Sequence, residues 1–115
     1  DLQTAMTSPP SNRMRSGTDA DILWYGINRT NREKALLSEQ PQGQLRDLRA
    51  GLETFRQLHA QLVRYAKTTT DDLRSHIVER QGCDGYQWAL LISTHEQRHI
   101  LQIREIKADP KFPTR

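Results

Sequence analysis

The sequence is poor in cysteine, aromatic residues and long apolar runs. Cys83 is the single cysteine among 115 residues, which excludes an internal disulfide and a metal site built from several cysteines. Hydrophobic residues make up 35% of the chain and aromatic residues 6%. No apolar run approaches the roughly 20 residues that a membrane-spanning helix needs. We therefore expect one modest domain with a narrow core and no membrane span.

The charges of the chain are mixed in sign, and no block of Lys or Arg is present. The 17 basic and 14 acidic residues leave a net charge of only +3, which is typical of a solvated helical surface rather than of a nucleic-acid partner. The first 17 residues lack the charged-then-apolar order of a signal peptide. We expect a cytoplasmic protein. Because the sequence starts at Asp1 rather than Met, we also expect a processed form or a fragment.

Apolar periodicity predicts three helices in a single helical domain over residues 1–115. Residues 1–17 are rich in Ser, Thr and Pro, so we expect a loop or arm there. The helices are expected at about 18–28, 44–68 and 84–108, where apolar residues recur at steps of three and four. Residues 78–84 are expected to form a loop.

Two of these helices carry a regular stripe. The stripe of the second helix is Leu45, Leu48, Leu52, Phe55, His59, Leu62 and Ala66, and that of the last is Trp88, Ile92, His95, His99, Ile103 and Ile106. Asp84 can cap the last helix, and Pro110 ends it. Two long helices and a short one predict an all-α, up-down bundle. Its core is thin, so we expect a partner or a further segment to complete it.

His95 and His99 are the candidate site of the chain. Histidines at positions i and i+4 stand one above the other on a helix, and imidazole is a common ligand of divalent metals. Because both lie on the apolar stripe, we expect them to face the interior, where an ion would satisfy their nitrogens. The alternative is a pair of histidines with ordinary hydrogen bonds.

The same segment, His95-Glu96-Gln97-Arg98-His99, also matches the HExxH motif of zinc proteases. In that motif the glutamate is the general base on a zinc-bound water. Too little chain follows to supply the third ligand of such enzymes, and Glu96 lies about 100° round the helix from His95. A zinc protease therefore remains a remote alternative, and a solvated charge is the simpler interpretation of Glu96.

Four segments of the chain carry a family resemblance: Thr69 to Leu73, Asp84 to Trp88, His95 to His99 and Gln102 to Pro110, and the last overlaps the pattern ExKADPxFP over residues 105–113. Together they resemble the DinB-like (DNA-damage-inducible B, YfiT-like) family. The resemblance covers roughly residues 18 to 113. It implies a four-helix bundle, often dimeric, that holds nickel, zinc or a similar divalent ion with three histidines.

That resemblance implies a metal-dependent hydrolase or a thiol-dependent transferase acting on a small molecule, as a homodimer, with His95 and His99 as metal ligands. The third family ligand is a histidine on an earlier helix, and no segment here matches that helix. We therefore expect the N-terminal helix or helix pair of the bundle to be absent from this chain. No residue stands out as a general base.

Three further residues could complete the ligand set. His59 lies on the stripe of its helix, and two interpretations of it stay open: a third metal ligand, or a histidine at the edge of the core. His76 is expected at the surface of a loop, and Cys83 is either a soft ligand or an unremarkable thiol. If no third ligand exists, the alternative function is a non-enzymatic helical dimerisation or interaction module with an incomplete metal site.

Overall fold

The structure, a computed structural model, describes residues 2–10, 17–30, 34–37, 40, 42–44, 46–78 and 82–113. In these residues the elements are α1 (Leu2–Thr7), α2 (Asp19–Ile27), α3 (Leu48–Thr68), β1 (Ile77–Val78), β2 (Cys83–Asp84) and α4 (Gly85–Ala108). The described part is mostly helical with little strand, so the predicted all-α class is confirmed. The bundle type stays a prediction.

The chain divides into two compact units. One comprises Asp1–Asn31 with Asp71–Arg115, and the other is Arg32–Thr70. The first unit contains every described element except α3. The single domain predicted for residues 1–115 stays a prediction.

The second unit contains α3, a long amphipathic helix. It begins at Leu48 because the Asp47 carboxylate accepts hydrogen bonds from the backbone N–H groups of Arg49 and Ala50, at 2.8 and 3.4 Å. The expected start at residue 44 was therefore too early, and Leu45 lies outside the described residues. No residue of α3 is buried, and Leu48, at the start of its stripe, is 86% exposed.

The first unit has a helix where the composition predicted a loop. Residues Leu2–Thr7 form α1, and only from Ser8 onwards do serine and proline end the helical pattern. Ala5 is buried against Val78 and Cys83. The expectation of a loop over residues 1–17 was wrong for this segment, because packing of Ala5 on the hairpin stabilises a helix too short to form alone.

The hairpin was also missed. β1 and β2 pair antiparallel, with Ile77 opposite Asp84 and Val78 opposite Cys83, where a loop was expected over residues 78–84. Strands of two residues are too short to show an alternating pattern, so sequence periodicity could not reveal them. Val78 and Cys83 form the small core together with Ala5. The side chains packed on this core are Met6, Ile22 and Trp88.

Helix α2 packs on α4 through Gly26. A Cβ placed on Gly26 would overlap the Thr94 hydroxyl and lie 2.8 Å from the Thr94 Cβ, with the Leu91 side chain 3.3 Å away. Hydrogen is the only side chain that this crossing admits. Since Gly26 is buried, the two backbones approach closely there.

Replacing Gly26 with Ala should destabilise the protein. Overpacking costs about 1–3 kcal/mol, which outweighs the gain of up to about 1 kcal/mol from the higher helix propensity of Ala. Urea unfolding followed by circular dichroism measures the difference. In a second variant, Gly26→Ala with Thr94→Gly, the overlapping atoms are gone and part of the lost stability should return.

Gly17→Ala is the matched control, because its new Cβ would lie no closer than 3.4 Å to the nearest side chain. An unfolding midpoint of Gly26→Ala equal to that of this control would contradict the close crossing of α2 and α4.

Candidate metal centre

The helix that carries the histidine pair begins at a buried capping box. The backbone N–H of Gln87 donates to Oδ1 of Asp84 at 2.7 Å, and the N–H of Asp84 donates to Oε1 of Gln87 at 3.3 Å. Both side chains are 0% exposed. A buried carboxylate is tolerated only with hydrogen-bond and charge partners, and the cap provides part of them. The predicted N-cap, Asp84, is confirmed.

Arg74 provides the charge partner of Asp84. Its Nη1 lies 3.2 Å from Asp84 Oδ2, and its two Nη atoms donate to both carboxylate oxygens of Asp19, at 2.8 and 2.7 Å. The hydrogen bonds that the Asp19 carboxylate accepts from Arg74 raise the pKa of the guanidinium above its usual value. The group also lies 3.9 Å from the centre of the Tyr86 ring, a cation–π distance.

The Gln87 amide extends the same network to the N-terminal side of α2. Its Nε2 donates to the carbonyl of Gly17 at 2.9 Å and to Oδ1 of Asp19 at 3.2 Å. The starts of α2 and α4 are therefore fixed to each other. The sequence shows the capping box as Asp84 followed three residues later by Gln87, but Arg74 stands in a turn whose sequence gives no sign of this role.

A second set of contacts holds the far end of α2 against α4. Arg29, just after α2, forms a bidentate ion pair with Glu105, with N···O distances of 2.9 and 2.5 Å. The guanidinium of Arg98 donates to the backbone carbonyl of Asn28. Sequence reasoning missed Arg29 and Arg98, because pairs 69 to 76 residues apart leave no local pattern.

These contacts define which face of α4 meets α2. The α4 residues that contact α2 and the residues just after it are Leu91, Thr94, Arg98 and Glu105. Each of the four is followed directly by a stripe residue. These stripe residues are Ile92, His95, His99 and Ile106. One position is about 100° of rotation, so the stripe is turned away from α2.

The expectation that His95 and His99 face the interior was therefore wrong for the structure as described. Both side chains are exposed, and so are Ile103 and Ile106 further along the stripe. Trp88 and Ile92, nearer the start of α4, are partly buried. The physical reason is that α2 packs on a neighbouring face of α4, at Leu91 and Thr94, which carries no histidine.

The two imidazoles nevertheless converge on one point. Nε2 of His95 and Nε2 of His99 are 2.9 Å apart, and the rings stand edge to face, with an interplanar angle of 82° and centroids 4.5 Å apart. The other ring nitrogen of His99, Nδ1, lies 3.1 Å from Oε1 of Gln102. The pair is thus held by a residue one turn further along the same helix.

The pair fits two positions of a divalent ion. Metal–nitrogen bonds are about 2.0–2.1 Å long, and nitrogens 2.9 Å apart can both lie at that distance from one ion. Among the residues that the structure describes, no group of three or more His, Cys, Asp or Glu could hold a metal. The geometry therefore supplies two protein ligands and leaves the other positions to water or to a further donor.

The other candidate ligands have contacts of their own. His59 lies in the other unit, stacked on Phe55 at 6.0 Å between ring centroids. His76 is partly buried, with Nδ1 3.0 Å from the carbonyl oxygen of Ala5, so it is not the surface histidine that we expected. Cys83 is 1% exposed in the core of the first unit.

In comparisons with known proteins, no family model, no curated protein and no solved structure matches the chain. No described helix combines the length and apolar character that crossing a bilayer requires. The resemblance to the DinB-like family thus rests on the sequence motifs alone.

Cys83 should react slowly with thiol reagents in the folded protein. Burial, with a further contribution from the charge of Asp84, raises the pKa of its thiol, and only the thiolate attacks. At pH 8 we expect labelling with an aromatic disulfide to be at least about tenfold slower than in urea, because the thiol must first be exposed by local unfolding. Equal rates in the two conditions would contradict its burial, and Cys83→Ser is the blank.

Proposed function

We propose that this chain is a metal-binding part of a DinB-like protein, with His95 and His99 as ligands of one divalent ion, nickel or zinc. The observation that carries the proposal is the 2.9 Å separation of the two Nε2 atoms on successive turns of α4. Without an ion, two nitrogens so close must share a proton, since two imidazolium groups would repel.

A divalent ion in this position would lower the pKa of a bound water or thiol. This chemistry supports a metal-dependent hydrolase or a thiol-dependent transferase acting on a small molecule, as the sequence resemblance implies. The chain's own contribution is to hold the imidazoles on a rigid helix, at a position that water and small solutes reach. Exposure of both side chains is consistent with open positions on the ion.

Catalytic zinc usually has three protein ligands. Two histidines alone form fewer bonds to the ion and therefore bind it more weakly. The resembled family takes its third ligand from an earlier helix, and no described residue of this chain takes that place. We therefore propose that the pair is a partial site. Water, a residue from a second molecule, or a segment beyond this chain would occupy the remaining positions.

Replacing both His95 and His99 with Ala should abolish metal binding. After equilibrium dialysis against a fixed concentration of nickel or zinc, mass spectrometry should find about one ion per wild-type chain above the level in the buffer, and none in the double variant. The wild type should also melt at a higher temperature with metal, because an ion at 100 times its Kd stabilises the folded state by about 2.7 kcal/mol.

His59→Ala is the matched control, since it removes an exposed imidazole from a different helix. The His59→Ala variant should keep the ion. Loss of the ion in this variant would instead make His59 a third ligand. A wild-type chain that takes up no ion, with the same melting temperature in chelator and in metal, would reject the proposed metal site.

The second candidate is a non-enzymatic dimerisation module. It is favoured by a specific observation: the first part of the apolar stripe of α3 is exposed, at Leu48, Leu52 and Phe55. Monomeric proteins rarely leave so continuous an apolar surface uncovered. In this alternative the stripe binds a second copy, and the histidine pair has no role in catalysis.

Light scattering tests this alternative. A homodimer that persists in chelator and dissociates when Phe55 is changed to Glu would support it, because a charge in an apolar interface is costly. Gln57→Glu, an exposed change two residues away on the same helix, should leave the dimer intact. A monomer at about 50 μM, far above the Kd of a stable dimer, would contradict it.

A further inference from the structure

The side chain of Gln102 contacts one member of the histidine pair, His99. It lies three residues after His99 on α4, on the neighbouring turn, and its Oε1 is 3.1 Å from Nδ1 of His99. On a helix, side chains at this spacing are neighbours. The contact thus arises within one rigid element and needs no other part of the fold.

With the amide oxygen of Gln102 placed at Nδ1 of His99, the contact favours a proton on Nδ1. An amide oxygen has no hydrogen to give, so Nδ1 must donate, and a neutral imidazole has only one N–H. The lone pair is then on Nε2, and Nε2 is the atom that lies 2.9 Å from His95. The amide oxygen of Gln102 therefore selects the tautomer that presents a lone pair at the meeting point of the two rings.

We infer that Gln102 is a positioning residue of the histidine pair: it holds His99 in the Nδ1–H tautomer and turns its Nε2 lone pair to the point where a divalent ion would bind. This inference rests on the proposed function for the ion and on the geometry for the tautomer. Metal-bound histidines commonly donate their second N–H to a carboxylate, a carbonyl or a water, and loss of that acceptor typically lowers metal affinity 10–100-fold.

Three variants test the inference. Gln102→Leu removes the acceptor, Gln102→Glu keeps an oxygen acceptor at the same position, and Gln97→Leu removes an exposed glutamine from the same helix, five residues earlier and about 140° round it from Gln102. Each is compared with the wild type for nickel affinity, by competition with a chromophoric chelator. A second comparison, without metal, uses the long-range ¹H–¹⁵N spectrum of the histidine rings at pH 8.

We expect His99 to be the Nδ1–H tautomer in the metal-free wild type and in Gln102→Glu, and to shift toward the Nε2–H tautomer in Gln102→Leu. Nickel affinity should fall about 10–100-fold in Gln102→Leu and be restored in Gln102→Glu. Gln97→Leu should stay within about twofold of the wild type, as is usual for surface substitutions.

The two readouts separate the failure of this inference from the failure of the proposed function. An Nε2–H tautomer of His99 in the wild type, or a Gln102→Leu variant that matches Gln97→Leu in tautomer and affinity, would overturn the role of Gln102 while leaving the metal site in place. A wild type that binds no nickel would reject the metal site, and the tautomer spectra would then decide the role of Gln102 by themselves.

Discussion

A buried carboxylate, Asp84, is the constraint on which the first unit depends. It is fully removed from solvent, and a charge in that position is tolerated only while its hydrogen bonds and its counter-charge are all present. Arg74 supplies the counter-charge and shares it with Asp19 at the start of α2, while Gln87 completes the cap. One buried group therefore fixes where α4 begins and which helix lies beside it.

The orientation of α4 about its own axis follows from the next contacts along it. Gly26 allows a close approach at Thr94, and the Arg29–Glu105 ion pair joins the two elements further on. The ion pair is partly exposed, so its contribution to stability is about 1 kcal/mol at most. Its value is geometric, because it keeps α4 from turning and so decides that His95 and His99 face away from α2.

Local features were predicted well from the sequence, and long-range features were not. Asp84 as a cap, and the ends of α3 and α4 at Thr68 and Ala108, follow from signals within a few residues. The hairpin of Ile77–Val78 with Cys83–Asp84, and the helix at Leu2–Thr7, depend on contacts between distant segments.

The candidate site divides in the same way. The spacing of His95 and His99 predicts that their rings meet, and the structure brings the two Nε2 atoms within 2.9 Å. The stripe could not show which face of α4 would meet α2, since periodicity locates a face but not its partner. Gln102 needed a structure, because its role depends on the side-chain contact with Nδ1 of His99.

The histidine pair and the apolar surface of α4 are physically connected. Beyond the histidine pair the stripe continues through Ile103 and Ile106, which are exposed, and any body that covered them would also remove the imidazoles from water. Imidazole nitrogens taken out of water need a partner, and a bound ion would provide one. Burial would in turn strengthen the electrostatic effect of the ion, because the local dielectric constant falls. Covering the stripe of α4 and binding a metal would thus reinforce each other.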